Sequence, residues 1–128
     1  MTDALAHVPQ RPTLFVDGKW CNASGGETRP CVNPYNAEVL VHVDEANAQD
    51  AERAIASARR FFDTSDWLRR AVKERCALLE RYADLLQERK EVLKQIETLD
   101  TGKTLGESEY DIDAVSYTHL RAHETDSY

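Results

Sequence analysis

One short segment constrains how the helices of this chain can be arranged: the run from Glu97 to Lys103. It follows a long helical pattern and contains Gly102, which can adopt the left-handed conformation that ends a helix. Thr104 comes next, with Glu107 three residues later, and this is the capping-box spacing that begins a new helix. The run therefore predicts a tight corner between two helices, with the carboxylate of Asp100 inside it.

Apolar side chains recur at helical spacing through most of the chain after residue 47. Asn47 is a suitable N-cap for the first helix, whose pattern extends to Phe62. A second helix is predicted from about Ala71 to Gln87 and a third from Glu88 to Leu99. A fourth begins near Thr104. The sequence thus predicts three to four helices in succession.

The first 45 residues have the pattern of two successive β-hairpins. A β-prone run ends at Asp17-Gly18, a pair that suits a two-residue hairpin turn because both central residues need positive φ. A second pair of strands is predicted at Thr28–Asn33 and Glu38–Val43. Pro30 lacks a backbone N–H, which places the first of these two strands at an edge.

These elements do not complete a core of their own, although 128 residues is a single-domain length. One-sided helices with wide apolar stripes pack against a sheet or a bundle, and no central buried strand is visible. We therefore predict an α/β fold that is part of a larger protein. Residues 1–12 are predicted to form a flexible tail, and residues 13–114 the folded part.

Charge and composition exclude several classes of protein. The net charge is −7, whereas nucleic-acid binding needs clustered Lys and Arg. No run approaches the 18 or so apolar residues of a membrane span, and Met1–Pro12 lacks the apolar core of a secretory signal. Cys21, Cys31 and Cys76 are odd in number and lack metal-site spacing, so they are predicted to be reduced thiols. We predict a cytoplasmic protein without nucleic-acid or membrane partners.

No catalytic constellation is visible in the sequence. Gly102-Lys103-Thr104 resembles the end of a phosphate-binding loop, but the first Gly of that motif is replaced by Glu97 and no strand precedes it. His42 has no second ligand at useful spacing. Two acidic pairs are expected to be solvated on a polar helix, namely Glu107 with Glu109 and Asp111 with Asp113. No nucleophile has a neighbouring base.

Five strings and three single residues of the sequence carry a family resemblance. The strings are Leu14–Trp20, Val32–Pro34, Ala51–Phe62 followed by Trp67, Glu97–Lys103 and Asp111–Asp113, and the single residues are Arg75, Leu79 and Leu86. Together they resemble the N-terminal end of the aldehyde dehydrogenase superfamily. Within it, they are most similar to the betaine aldehyde dehydrogenases and their amino-aldehyde relatives. The resemblance covers about residues 14–113 and implies an incomplete N-terminal part of the NAD-binding domain, with two β-hairpins followed by three to four helices.

The resemblance implies a full-length enzyme that oxidises a small-molecule aldehyde to a carboxylic acid with NAD, as a homodimer or homotetramer. In the family a cysteine thiolate attacks the aldehyde, an asparagine and a backbone amide hold the oxyanion, and a glutamate activates water. Those residues and the cofactor-binding strands lie beyond the position of Asp113. This chain alone is therefore expected to be inactive. Betaine aldehyde and 4-aminobutyraldehyde-like substrates both stay open, because substrate choice is set near the missing nucleophile.

One family site is carried over in part. Betaine aldehyde dehydrogenases bind a monovalent cation, K⁺ or Na⁺, through backbone carbonyls before the Asn-Pro pair and through the aspartate of the Asp-Thr-Gly-Lys string. The corresponding positions here are Cys31, Val32 and Asp100. Hard cations prefer such oxygen ligands. The alternative is that Asp100 caps nearby backbone amides, as Asx side chains commonly do.

The end of the chain changes character at Val115. Residues 115–125 continue no apolar stripe and resemble a translated sequencing adapter, so residues 115–128 are predicted to be a non-native tail on a truncated reading frame. His119 and His123 have helical metal spacing but lack the Glu of a His-Glu-x-x-His motif.

A hypothesis of a different class is a small, non-catalytic helical interaction module, which would melt cooperatively as a monomer.

Overall fold

A computed structural model describes residues 4–9, 11 and 13–121 of the chain. It divides into two compact units, each treated by itself below. The hairpin unit comprises Val8–Arg69, and the helical unit comprises Met1–His7 with Arg70–Tyr128. The described residues of the two units form two small antiparallel sheets and four α-helices. This confirms the prediction of two β-hairpins followed by three to four helices.

The first hairpin turns at the two residues that the sequence indicates. Strand β1 (Leu14–Val16) pairs with β2 (Lys19–Cys21), and Asp17 and Gly18 have φ of 57° and 72°. Two successive positive φ angles match the right-handed twist of the flanking strands. Phe15 and Trp20 face each other across the pair, with ring centroids 5.0 Å apart in an edge-to-face arrangement. The turn type and this aromatic pair together set the register.

The second hairpin contains an irregularity at the end next to its turn. Strand β3 (Thr28–Val32) pairs with β4 (Val39–Asp44), and the register shifts between Cys31 and Val32. Cys31 lies opposite Val41, whereas Val32 lies opposite Val39, so one residue of β4 is extra. Such a bulge leaves part of the backbone ladder unpaired. Both strands of this two-stranded sheet are edges, which agrees with the position predicted for Pro30.

Two buried carboxylates hold the loop between the hairpins. The side chain of Asp44 accepts a hydrogen bond from the N–H of Ala23 at 2.8 Å and pairs with Arg11. These two donors hold the pKa of Asp44 below its ordinary value of 3.8. Asp50 accepts from the next amide, Ser24, at 3.0 Å. Consecutive backbone N–H groups are thus fixed by carboxylates from two different elements.

Helix α1 (Ala48–Thr64) begins with a complete capping box. Asn47 accepts from the N–H of Asp50, and Asp50 accepts from the N–H of Asn47. Burial raises the pKa of Asp50, but hydrogen bonds from the amides of Ser24 and Asn47 lower it more, so the pKa lies below 3.8. Asn47 was predicted as the N-cap, whereas the role of Asp50 as the returning side chain was not.

The helical unit consists of α2 (Val72–Glu88), α3 (Lys90–Thr101) and α4 (Leu105–Arg121). A single residue, Arg89, joins α2 to α3. Residues Ala4–His7 form a short 3-10 helix against α3, with Ala4 buried, where the sequence predicted a flexible tail. Helix α4 also continues past Val115 into the segment predicted to be a non-native tail. The rest of that tail lies outside the described residues.

Charged side chains join α3 to α4, contrary to the expectation that the acidic residues of α4 are solvated. The ammonium of Lys90 lies 2.9 Å from a carboxylate oxygen of Glu109 and 2.8 Å from one of Asp113. Lys94 adds a second contact to Glu109 at 3.2 Å. Hydrogen bonds to Asp113 and Glu109 raise the pKa of Lys90. Tertiary packing places two lysines over the acidic row, which the pattern along one helix cannot show.

Few apolar side chains are buried in the described part of the chain. They are Ala4, Ala23, Ala83 and Leu99. Larger apolar residues stay open, and in the hairpin unit an exposed groove of about 730 Å³ is lined by Phe15, Phe61, Phe62 and Trp67, among others. None of the described helices is both long and apolar enough to cross a membrane. Each unit therefore leaves an apolar face uncovered, as the wide helix stripes predict.

The two buried carboxylates make a pH-dependent contribution to stability. Because folding lowers their pKa values, their contribution is present above pH 3.8 and is lost as the pH falls below 3.8 through the folded pKa values. We expect Asp44→Asn and Asp50→Asn each to lower the free energy of unfolding at neutral pH and to flatten its dependence on pH in this acid range. Chemical denaturation across a pH series measures both effects. The exposed Asp84→Asn is the control, and an equally flattened profile for it would contradict the assignment.

Candidate functional site

The corner between α3 and α4 has the geometry that the sequence predicts. Gly102 has φ of 76°, in the left-handed region, and its N–H donates to the carbonyl of Thr98 at 3.0 Å. The hydroxyl of Thr101 donates to the carbonyl of Glu97 at 2.7 Å and accepts the N–H of Lys103 at 3.3 Å. Helix α3 therefore ends with its last carbonyls partly satisfied by its own residues.

Helix α4 begins immediately with a second capping box. The N–H of Glu107 donates to the hydroxyl of Thr104 at 3.3 Å, and the N–H of Thr104 donates to the carboxylate of Glu107 at 3.0 Å. Bonds from the Thr104 backbone and hydroxyl hold the pKa of Glu107 below its ordinary value. Lys103 lies 2.6 Å from a carboxylate oxygen of Asp111, on the second turn of α4. The phosphate-loop-like string thus serves as a helix junction.

Asp100 occupies an exposed position in the last turn of α3. Among the residues that the structure describes, none donates a hydrogen bond to its carboxylate. Local capping is performed by the neighbouring hydroxyl of Thr101. The alternative in which Asp100 caps nearby amides is therefore not what the structure shows. Its two oxygen atoms are available to an external ligand.

Cys31 and Val32 lie on either side of the bulge between β3 and β4. Cys31 is half-buried and Val32 is 41% exposed. They belong to the hairpin unit, whereas Asp100 belongs to the helical unit, so the structure describes the two halves of the predicted cation site separately. Backbone carbonyls beside a bulge and an exposed carboxylate are the hard oxygen donors that K⁺ and Na⁺ prefer. The carbonyl and carboxylate oxygens at these positions are therefore the chemical type of ligand that such an ion binds.

Other candidate groups show no catalytic arrangement. All three cysteines are free thiols, as predicted. A guanidinium nitrogen of Arg53 lies 3.4 Å from the sulfur of Cys21, a contact that no sequence signal indicates. His42 is exposed on β4 opposite Pro30. The described residues contain no group of three His, Cys, Asp or Glu that could hold a metal ion.

The sequence pattern of the aldehyde dehydrogenase family matches residues 20–127. The chain belongs to this family. It is 41% identical over 104 residues to the betaine aldehyde dehydrogenase of Bacillus subtilis (strain 168), a match that covers 81% of this chain and 21% of that protein. It is 40% identical over 107 residues to the aminoacetaldehyde dehydrogenase of Pseudomonas aeruginosa, covering 84% of this chain and 21% of that protein.

Solved structures agree with this assignment. The betaine aldehyde dehydrogenase of Staphylococcus aureus in complex with NAD⁺ superimposes with a TM-score of 0.90 at 36% identity. The match covers 99% of this chain and 25% of that one. The chain thus spans about a fifth of the length of the curated relatives that it matches. The predicted resemblance to an N-terminal portion of the family is confirmed, whereas a non-native origin of residues 115–128 stays a prediction.

The capping box at the start of α4 allows a direct test of the corner. We expect Thr104→Ala to destabilise the protein by about 1 kcal/mol, because it leaves the first-turn amide of Glu107 without an acceptor. Thr104→Ser keeps the hydroxyl and should be close to the wild type. Urea unfolding of the three proteins gives the comparison, and equal losses for both variants would show that the methyl group of Thr104 matters rather than its hydroxyl.

Proposed function

We propose that the whole protein to which these residues belong oxidises an aldehyde to a carboxylate with NAD. The observation that carries this proposal is the family match over residues 20–127, which includes the helix corner at Glu97–Lys103. Betaine aldehyde or a related amino-aldehyde is the proposed substrate. It is supported by the identities of 41% and 40% to a betaine aldehyde and an aminoacetaldehyde dehydrogenase. A 4-aminobutyraldehyde-type substrate is the alternative within the same chemistry.

The described residues do not form a binding site for NAD. A dinucleotide is held where a glycine-rich turn joins a parallel strand to a helix, and the described sheets are two antiparallel pairs. They also do not supply the reaction's nucleophile, because none of the three thiols has a base at hydrogen-bonding distance among these residues. We infer that the groups that bind the cofactor and attack the aldehyde come from sequence outside this chain.

We further propose that the full-length protein binds K⁺ or Na⁺ through the carbonyls of Cys31 and Val32 and the carboxylate of Asp100. The bulge in the β3–β4 ladder and the exposed carboxylate on α3 support this. Such an ion would take no part in the reaction.

Two further properties of the full-length protein are proposed. A homodimeric or homotetrameric state is supported by the open apolar faces and by the prevalence of symmetric homo-oligomers. A cytoplasmic location is supported by three free thiols, since disulfides are rare in reducing compartments.

The proposed reaction can be tested with two proteins. Purified residues 1–128 should produce no NADH from betaine aldehyde and NAD, because the described part lacks the required groups. The gene should be sequenced through codon 115 and its complete reading frame expressed, and that product should produce NADH. Activity of the short chain, or a frame that runs in genomic DNA through codon 115 as written and ends at codon 128, would overturn the proposal of a truncated enzyme.

The cation proposal has a separate readout. In the full-length protein, K⁺ should raise the thermal midpoint by a few degrees relative to choline at equal ionic strength, since a ligand that binds only the folded state stabilises it. Asp100→Asn should abolish this increase, whereas Asp84→Asn should retain it. An undiminished K⁺ effect in Asp100→Asn would remove Asp100 from the site.

A further inference from the structure

Lys103, the last residue of the corner between α3 and α4, is held by a carboxylate from each helix. Its ammonium lies 2.6 Å from a carboxylate oxygen of Asp111, on α4, and 3.6 Å from one of Glu97, on α3. The side chains of Lys103, Asp111 and Glu97 are 45%, 39% and 34% exposed. A substitution in either pair therefore changes a charge contact at the surface and opens no cavity in a core.

The ammonium of Lys103 lies on the side of α3 that carries Asp100. Residues three apart on a helix share a face, and Glu97 and Asp100 have this spacing in α3. An ammonium that contacts Glu97 is therefore close to the face on which Asp100 lies. Lysine carries its charge on a flexible four-carbon stem. If its present partners were removed, Lys103 would be a cation within reach of Asp100.

Both donor groups of Lys103 are taken up by acceptors other than Asp100. Its backbone N–H donates to the hydroxyl of Thr101 at 3.3 Å, and its ammonium donates to Asp111. Asp100 itself is exposed, and among the described residues none donates a hydrogen bond to its carboxylate. The arrangement therefore keeps the donors of the corner away from the one carboxylate that we propose as a cation ligand.

An ammonium and an alkali cation compete for the same carboxylate, because each carries a single positive charge. A carboxylate that is already paired with a lysine binds a second cation more weakly, since part of its negative charge has been neutralised. The free energy of a typical ion pair at a protein surface corresponds to a change of about twofold to fivefold in an equilibrium constant. Whether Lys103 is held by Asp111 or released toward Asp100 should change the affinity of Asp100 for K⁺ by this factor.

We propose that Asp111 is a positioning residue of the cation site: it retains the ammonium of Lys103 and so leaves the carboxylate of Asp100 to K⁺ or Na⁺. This inference rests on the proposed cation binding and adds to it the residue that sets the affinity. Asp111 acts through Lys103 and is not itself a ligand of the ion. Removal of Asp111 should therefore weaken K⁺ binding, and removal of Lys103 as well should restore it.

Thermal unfolding of the full-length protein in a K⁺ series tests this proposal without aldehyde or NAD. Choline replaces K⁺ at a fixed ionic strength of about 0.15 M, at which the field of an exposed charge fades over about 8 Å. The dependence of the thermal midpoint on K⁺ concentration then gives the Kd for K⁺. We expect Asp111→Asn to raise this Kd about twofold to fivefold. The double variant Lys103→Met/Asp111→Asn should return it to less than about twofold above the wild-type value.

The matched control is Glu109→Gln, which removes the same charge from the same helix but from a carboxylate that pairs with Lys90 and Lys94. Its Kd for K⁺ should rise less than about twofold. A rise below twofold in Asp111→Asn, an equal rise in the control, or no recovery in the double variant would each overturn the proposal. A purely structural role of Asp111 would lower the midpoint in choline and leave the Kd unchanged.

The same series separates this inference from the cation binding on which it rests. If K⁺ does not raise the midpoint of the wild-type protein, the proposed cation binding is refuted, and this inference with it. If K⁺ stabilises the wild type and Asp111→Asn with the same Kd, the cation binding stands and only the role of Asp111 is refuted.

Discussion

The helical unit depends on the left-handed turn at Gly102. With φ of 76° at this residue, α3 ends and α4 can begin three residues later, which reverses the chain within a very short segment. A side chain at this position would make the conformation costly. Once the turn is made, Lys90 and Lys94 of α3 face the acidic row of α4 and form ion pairs with Glu109 and Asp113. The turn at Gly102 sets the position of α4 relative to α3, and the ion pairs between the two helices stabilise it.

The hairpin unit depends on a different device. Asp44, at the end of β4, and Asp50, in the first turn of α1, hold the consecutive amides of Ala23 and Ser24. A loop without regular structure must still satisfy its buried backbone groups, and these carboxylates do so from β4 and α1, two elements that lie later in the chain. The same bonds keep both carboxylates ionised while they are buried. Hydrogen bonds from these two carboxylates therefore stabilise the loop in a unit that buries few apolar side chains.

The uncovered apolar surface and the family match lead to one interpretation. The chain spans about a fifth of the length of its curated relatives. In its described part the buried apolar residues are three alanines and Leu99, whereas Phe15, Phe61 and Leu78 are exposed. Surfaces of this kind are covered by other parts of a protein or by partners.

Local signals in the sequence determined the elements and their ends. Asp17-Gly18, Asn47 and Gly102 each act through their own backbone conformation or a side chain within three residues, so their structures follow from neighbouring residues alone. The family strings likewise identified the superfamily. Tertiary structure alone decided which charges are paired and which are buried. Asp44 and Lys90 look like ordinary surface residues in the sequence, and their roles depend on groups at least 19 residues away.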